Sequence, residues 1–252
     1  MCLILFSWKT HAKFPLVLAA NRDEFYDRPT AVAGFWEENP EVLAGRDLQA
    51  GGTWLGVTRS GRFAAITNYR DPQNIDAKAH SRGELTSNFL LSNEAPEAYL
   101  HKIKNSNIHY NGFNLLVGDS SCLFYFNNVN HQILELTPGT YGLSNGFLQD
   151  NWPKVKKGRE QLKNLINQDD LVASRYIDIL TDDQQAADAL LPSTGVSMEW
   201  ERALSPLFID SNSYGTRCST VLFREENGHG TFVEKTYAIG GTQEEGLVEY
   251  NF

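Results

Sequence analysis

Long hydrophobic runs are missing from this chain. None of its apolar stretches approaches the roughly 20 residues that a membrane-crossing helix requires. Cysteine is scarce: Cys2, Cys122 and Cys218 are odd in number and far apart, which forms no disulfide framework and suits a reducing compartment. Basic residues are outnumbered, 22 Lys and Arg against 31 Asp and Glu, for a formal net charge of −9. With no basic stripe interleaved with aromatics, a nucleic-acid partner is excluded. The six histidines lack paired ligand spacing, and Gly51-Gly52-Thr53-Trp54-Leu55-Gly56 lacks the Lys-Ser/Thr of a phosphate loop, so no metal or other cofactor is expected. No Pro/Ser linker or repeat divides the chain, which reads as one domain over residues 1–252. The apolar N-terminal stretch is short, with no basic leader and no small-residue cleavage site, and the expectation is a soluble cytoplasmic protein.

What is present starts at Cys2. It follows Met1 directly, so removal of that methionine would place a thiol and a free amine on one residue. An α-amino group with a pKa near ~8 can take the thiol proton without a distant histidine. The competing reading is a small core residue at the head of an apolar strand. Cys2 to Trp8 is apolar and strand-like, Lys9 to Lys13 is a polar turn, and Pro15 to Ala20 is a second apolar run ending in Asn21-Arg22-Asp23-Glu24. This predicts an opening hairpin. A turn centred near His11 and Ala12 places Cys2 opposite Asn21 with Asp23 diagonal to it; one extra turn residue or a bulge brings Arg22 to the Cys2 face instead.

Further along, Val42 to Arg46, Thr53 to Thr58 and Arg62 to Thr67 read as short strands. Helical spacing covers His80 to Leu91, with Ser81 and Glu84 as a capping box, and Ala95 to Lys104. Gly112 to Asp119, Cys122 to Asn127, His131 to Leu136 and Tyr141 to Ser144 read as a meander forming a second sheet. Pro153 opens a charged helix to about Asn167, followed by helical stretches near Leu171 to Leu180 and Asp182 to Leu190. Arg217 to Glu225 and Thr231 to Ile239 form a closing hairpin around Asn227-Gly228. The order implies two sheets covered by helices on their outer faces.

Three constellations add chemistry. Asn68 ends one strand and Asn145 another; an asparagine amide at a strand end can donate to a developing oxyanion, or can simply bond its own turn. Arg217 can hold a substrate carbonyl or carboxylate, or form a structural ion pair. The aromatics Phe35, Trp36, Trp54, Tyr69 and Trp152 lie near these motifs; they could line an apolar pocket, though most read as core.

Together, Cys2, Asn21-Arg22-Asp23-Glu24, Gly51-Gly52-Thr53-Trp54-Leu55-Gly56, Thr67-Asn68-Tyr69-Arg70, Phe113-Asn114-Leu115-Leu116, Leu143-Ser144-Asn145 and Gly215-Thr216-Arg217-Cys218-Ser219-Thr220 resemble the transport and Golgi organisation 2 family, named in bacteria for its Asn-Arg-Asp-Glu motif. The resemblance covers essentially the whole chain. It implies an α+β fold, the four-layer αββα sandwich of the N-terminal nucleophile hydrolases. More distantly, the residue order is similar to that of the cysteine acylases that cleave bile-salt and penicillin amides. That resemblance implies Cys2 as nucleophile with its own amine as base, Asp23 as the amine's partner, Asn68 and Asn145 around the oxyanion, and Arg22 and Arg217 as electrostatic support. Those acylases separate their arginine and aspartate by a spacer, whereas Arg22 and Asp23 are adjacent and face opposite ways on an ideal strand. Asn21, Arg22 and Asp23 therefore rank together. The expected partner is a small acyl amide, cleaved through an acyl-enzyme, or alternatively a hydrophobic ligand that is bound or carried and not turned over.

Overall fold

The computed structural model describes residues 2–252. Its organisation follows from strands apolar on both faces. β1 (Cys2–Trp8) is buried at every residue, and so is β2 (Leu16–Phe25) through Asp23. Alternation then divides each strand between two cores. Ile4, Phe6, Trp8, Leu16 and Leu18 point one way, into a cluster with Leu43, Val57, Phe63, Leu116 and Tyr125. Leu3, Leu5, Val17 and Ala19 point the other way, against Val155, Leu162, Tyr176 and Leu180. A third cluster packs Val42, Ala64, Leu115 and Val117 against Leu85, Phe89, Tyr99 and Leu100.

Among the described residues these clusters separate four layers. A six-stranded antiparallel sheet runs β10-β1-β2-β11-β12-β13, where β10 is Gly139–Leu143, β11 Tyr214–Arg224, β12 Gly230–Tyr237 and β13 Glu244–Asn251. A seven-stranded antiparallel sheet runs in sequence order through β3 (Thr30–Trp36), β4 (Asn39–Asp47), β5 (Leu55–Thr58), β6 (Phe63–Asn68), β7 (Phe113–Gly118), β8 (Leu123–Asn127) and β9 (Gln132–Glu135). Helices α1 (Gly83–Leu91) and α2 (Pro96–Lys104) cover the second sheet; α3 (Pro153–Asn167) and α4 (Ala173–Leu180) cover the first. A short α5 (Met198–Ala203) follows. This is the expected αββα sandwich.

Several local expectations are corrected. The meander does not form its own sheet: β7, β8 and β9 extend the sheet begun by β3 to β6, and β10 leaves them to pair with β1. β3 and β13 are strands the sequence reading omitted; β13 exposes alternate residues and shows no apolar run, whereas β3, apolar from Ala31 to Trp36, is broken by two register shifts against β4. Of Asp182 to Leu190, only a 3-10 turn at Asp188–Leu190 is helical. The capping box does not form. Arg82 is the cap of α1 with no side-chain bond, and the Glu84 carboxylate instead accepts from the Tyr110 hydroxyl at 2.5 Å.

Candidate active site

The first hairpin pairs Cys2 with Arg22 and Leu3 with Asn21. The turn is one residue longer than the symmetric reading, so Asn21 is not opposite Cys2. β11 lies on the far side of β2 and pairs Cys218 with Arg22. Directly opposed side chains in antiparallel pairs share a face. Cys2, Arg22 and Cys218 therefore form one row across three strands, on the face that looks toward the second sheet. In front of it lies a cavity of about 850 Å³ between the ends of the sheets.

Cys2 and Arg22 are both 7 % exposed. Arg22 Nη2 lies 3.9 Å from the Glu24 carboxylate, and Nη1 has no hydrogen-bond partner among the described residues. The Asp23 backbone N–H donates to the Cys2 sulfur. Burial pushes the Cys2 thiol up to about 11, although the Arg22 charge and the Asp23 N–H both work to lower it. In this state the sulfur is a thiol at neutral pH.

Asn21 and Asp23 leave the opposite face of β2. Asn21 Nδ2 donates to the Leu180 and Leu207 carbonyls, both at 2.9 Å, and its Oδ1 accepts from Ser219 Oγ at 2.6 Å. Its amide is committed to pinning the helical layer. Asp23 is 1 % exposed and accepts from Thr216 Oγ1 at 2.8 Å, while its carbonyl accepts from the Tyr214 hydroxyl at 2.8 Å. Burial raises the Asp23 carboxyl, and the Lys154 charge opposes that rise. β11 bulges between Thr216 and Cys218, displacing Arg217 from the ladder. Arg217 Nη1 donates to the Phe25, Tyr26 and Arg28 carbonyls at 3.1, 3.3 and 3.1 Å. It fixes the loop bordering the cavity, in place of the ion pair that sequence allowed.

The second sheet contributes Asn68, half-buried at the end of β6 and on the cavity wall. Asn145 is fully buried, and its Nδ2 donates to the Asn68 carbonyl at 2.8 Å. A buried polar network joins the two sheets here. Asn114 Nδ2 donates to Thr67 Oγ1 at 3.0 Å and the Gly146 carbonyl at 2.9 Å, and Asn114 Oδ1 accepts from Tyr125 and Asn127. Thr67 Oγ1 donates to the Ser144 carbonyl at 2.6 Å, and Ser144 Oγ to the Cys2 carbonyl at 3.1 Å. The segment carrying Asn145 is thus tied to both Asn68 and Cys2.

Of the aromatics, Trp54 lines the cavity; Trp36 packs into a core cluster, Phe35 packs against one, Tyr69 packs on Phe147, and Trp152 lies under the Arg70 guanidinium. Sequence reasoning missed Lys154, Arg82 and Glu234. Lys154 sits in the first turn of a charged helix and reads as a solvated residue, yet it is 2 % exposed. Arg82 and Glu234 line the cavity; buried Glu234 reaches from β12 to accept from the Ala33 N–H of β3 at 2.7 Å. A carboxylate two residues after Phe232, on the apolar side of β12, was the available signal for Glu234.

Residues 1–238 match the family described as Transport and Golgi organisation 2. The chain belongs to that family. It is 35 % identical to the mouse Transport and Golgi organization 2 homolog, covering 94 % of this chain and 93 % of the mouse protein. It is 34 % identical to the human Transport and Golgi organization protein 2 homolog at the same coverage, and 24 % identical to the Drosophila melanogaster protein over 94 % and 92 % of the two chains. Two solved structures of the conjugated bile acid hydrolase from Clostridium perfringens, a cysteine-to-alanine mutant and an arginine-to-leucine variant, superpose with TM-scores of 0.55 and 0.57. Each is 11 % identical and covers 100 % of this chain and 92 % of the hydrolase, a likeness of fold. This Transport and Golgi organisation 2 family chain therefore shares the fold of that hydrolase, a four-layer αββα sandwich. No helix among the described residues is long and apolar enough to cross a membrane, which leaves β-barrels unaddressed.

Proposed function

We propose that the chain is an N-terminal cysteine amide hydrolase acting on a non-peptide C–N bond through an acyl-enzyme. The observation that carries this reading is the row formed by Cys2 and the partly unpartnered Arg22 at the closed end of a large cavity, with Asp23 immediately behind it. Removal of Met1 gives Cys2 a free amine. That amine takes the thiol proton, and the sulfur attacks the amide carbonyl. Asn68 donates to the oxyanion, and Asn145 fixes Asn68 through its carbonyl. The tetrahedral intermediate expels the amine product with the proton held by the Cys2 ammonium, whose partner is Asp23; water then cleaves the thioester. Arg22 supports the charge that develops at the sulfur, and Arg217 holds the adjoining loop. The reading carries a reducing, cytoplasmic setting with it, in which the free thiols of Cys2, Cys122 and Cys218 persist.

A second reading, binding or carriage of a hydrophobic ligand without turnover, is favoured by the exposed apolar side chains of Phe25, Val32 and Ile75 around the polar cavity floor. The two separate by intact mass of untagged protein treated with a thiol-selective electrophile and with N-acyl amides. Hydrolysis predicts a mass one methionine short, one rapid adduct on Cys2, and no acyl adduct in Cys2→Ala. A retained Met1 with inert Cys2, and ligand binding that survives Cys2→Ala, would establish carriage instead.

A further inference from the structure

Behind the Cys2 row, on the helical side of the sheet, lies a group of buried charges that the mechanism above does not use. Lys154 in the first turn of α3 donates from Nζ to the Leu204 carbonyl at 2.9 Å. Three residues further on, the Leu207 carbonyl accepts from Asn21, and Asp23 leaves the same face of β2 as Asn21. One segment, 204–207, thus anchors both the lysine and the strand carrying Asp23. Beside them Arg70 Nη1 pairs with Glu201 at 2.8 Å, their side chains only 6 % and 3 % exposed. Glu201 also accepts from the Thr194 N–H at 2.8 Å and hydroxyl at 2.6 Å. Arg70 is thereby paired with Glu201 and acts on Asp23 as well, and Lys154 is the foremost of the cations acting on Asp23.

We propose, resting on the hydrolase reading, that Lys154 is a positioning residue for the nucleophile: its buried ammonium holds the charge and orientation of the Asp23 carboxylate, and through Asp23 the terminal amine of Cys2. A buried carboxylate without a cation takes up a proton and can no longer stabilise an ammonium. Lys154 supplies that cation from outside the cavity, where substrate cannot displace it. The charged groups acting on the pair are Arg70, Glu201 and Cys2 around Lys154, and the N-terminal amine, Arg70 and Glu24 around Asp23. Burial lowers the Lys154 ammonium to about 8, with Asp23 the first of the groups sustaining its charge.

The test is nuclear magnetic resonance titration of the side-chain carbons of labelled aspartate and the nitrogens of labelled lysine, together with pH profiles of Cys2 alkylation, in the Met1-free protein. In Asp23→Asn, the Lys154 midpoint should fall by about one pH unit or more; in Lys154→Met, the Asp23 midpoint should rise by about as much. Lys154→Met should also alkylate about tenfold more slowly at neutral pH, the equivalent of a one-unit shift. Lys154→Arg keeps the charge and should restore the profile, which a packing role would not do. Adding Lys154→Met to Asp23→Asn should slow alkylation little further. Should Lys154→Met fail to fold, the Asp23→Asn titration decides. Unmoved titrations, or a Lys154→Met profile matching wild type, overturn the role of Lys154 alone. A wild-type Cys2 that resists alkylation overturns the hydrolase reading itself.

Discussion

At the scale of the residue, Cys2 is set by two opposing influences. Burial drives the thiol up to about 11, and the site offers Arg22 and the Asp23 N–H against it. A thiol whose folded pKa lies above its unfolded value keeps its proton after the unfolded thiol has lost it. Its contribution is fully present below about pH 9 and is lost as pH rises through about 11. Cys2→Ala should therefore lose less stability than wild type between pH 9 and 11, checked by urea denaturation at several pH values. In protein retaining Met1, alkylation of Cys2 should climb toward a midpoint near 11; the Met1-free protein should react at lower pH because its amine accepts the proton. Coincident profiles would show that the amine plays no part. Arg22 and Asp23, adjacent in sequence and both bordering the cavity, do different work because the pleat points the Arg22 side chain toward the second sheet and the Asp23 carboxylate toward Thr216 on the other face.

At the scale of the element, strand ends matter more than strand interiors. β1, β6 and β10 stop at Cys2, Asn68 and Leu143, and polar side chains lock those ends together. Asn114 is the hub of this lock, serving Thr67, the Gly146 carbonyl, Tyr125 and Asn127 from a fully buried position. Asn114→Ala strands several of these groups and should cost about 3 kcal/mol, measured by denaturation. The Ser144–Gly146 segment should loosen with it, seen as faster amide exchange at Asn145. A loss within about 0.5 kcal/mol would mean that water replaces the amide without penalty. Close backbone approach plays a comparable part at the α1 start. A Cβ on Gly52 would stand 2.4 Å from the Gly83 carbonyl carbon, so Gly52→Ala must displace the first turn of α1, which lines the cavity. The expected cost is about 1–3 kcal/mol.

At the scale of the whole molecule, the two sheets enclose an apolar core along most of their length and part into a polar cavity at one end. Glu234 bridges that transition, held by the Ala33 N–H and by Thr220 and Cys218. Burial raises its carboxyl, so its charge opposes folding once pH exceeds the unfolded value, and that opposition fades as pH falls. Glu234→Gln removes the charge and keeps the acceptor for Ala33; its stability should match or exceed wild type at pH 7 and converge on it at acid pH. Glu234→Ala should lose about 2 kcal/mol through the orphaned Ala33 N–H. Urea midpoints of the three proteins at pH 5 and pH 7 check both expectations, and a Glu234→Gln protein weaker at pH 7 would overturn the account.

Sequence by itself determined which segments are strands and helices wherever an apolar run was continuous, as in Cys2 to Trp8, or helical periodicity was strong, as in Pro153 to Asn167. It also placed Cys2 and Asn68 at strand ends and Asn145 just beyond one, because a chain leaving a packed sheet turns polar there; Arg217, read as the start of a strand, lies inside β11 at its bulge. Register lay beyond it: a turn one residue longer decides whether Asn21 or Arg22 faces Cys2, and no local propensity records that length. Sheet membership lay beyond it as well, since β10 carries the alternation of β7 to β9 but joins β1. Only the tertiary structure placed Lys154 behind Asp23. A lysine on a charged helix looks solvated until the packing of α3 on β1 and β10 takes water away from it, and burial is a property of layers that no single strand or helix contains.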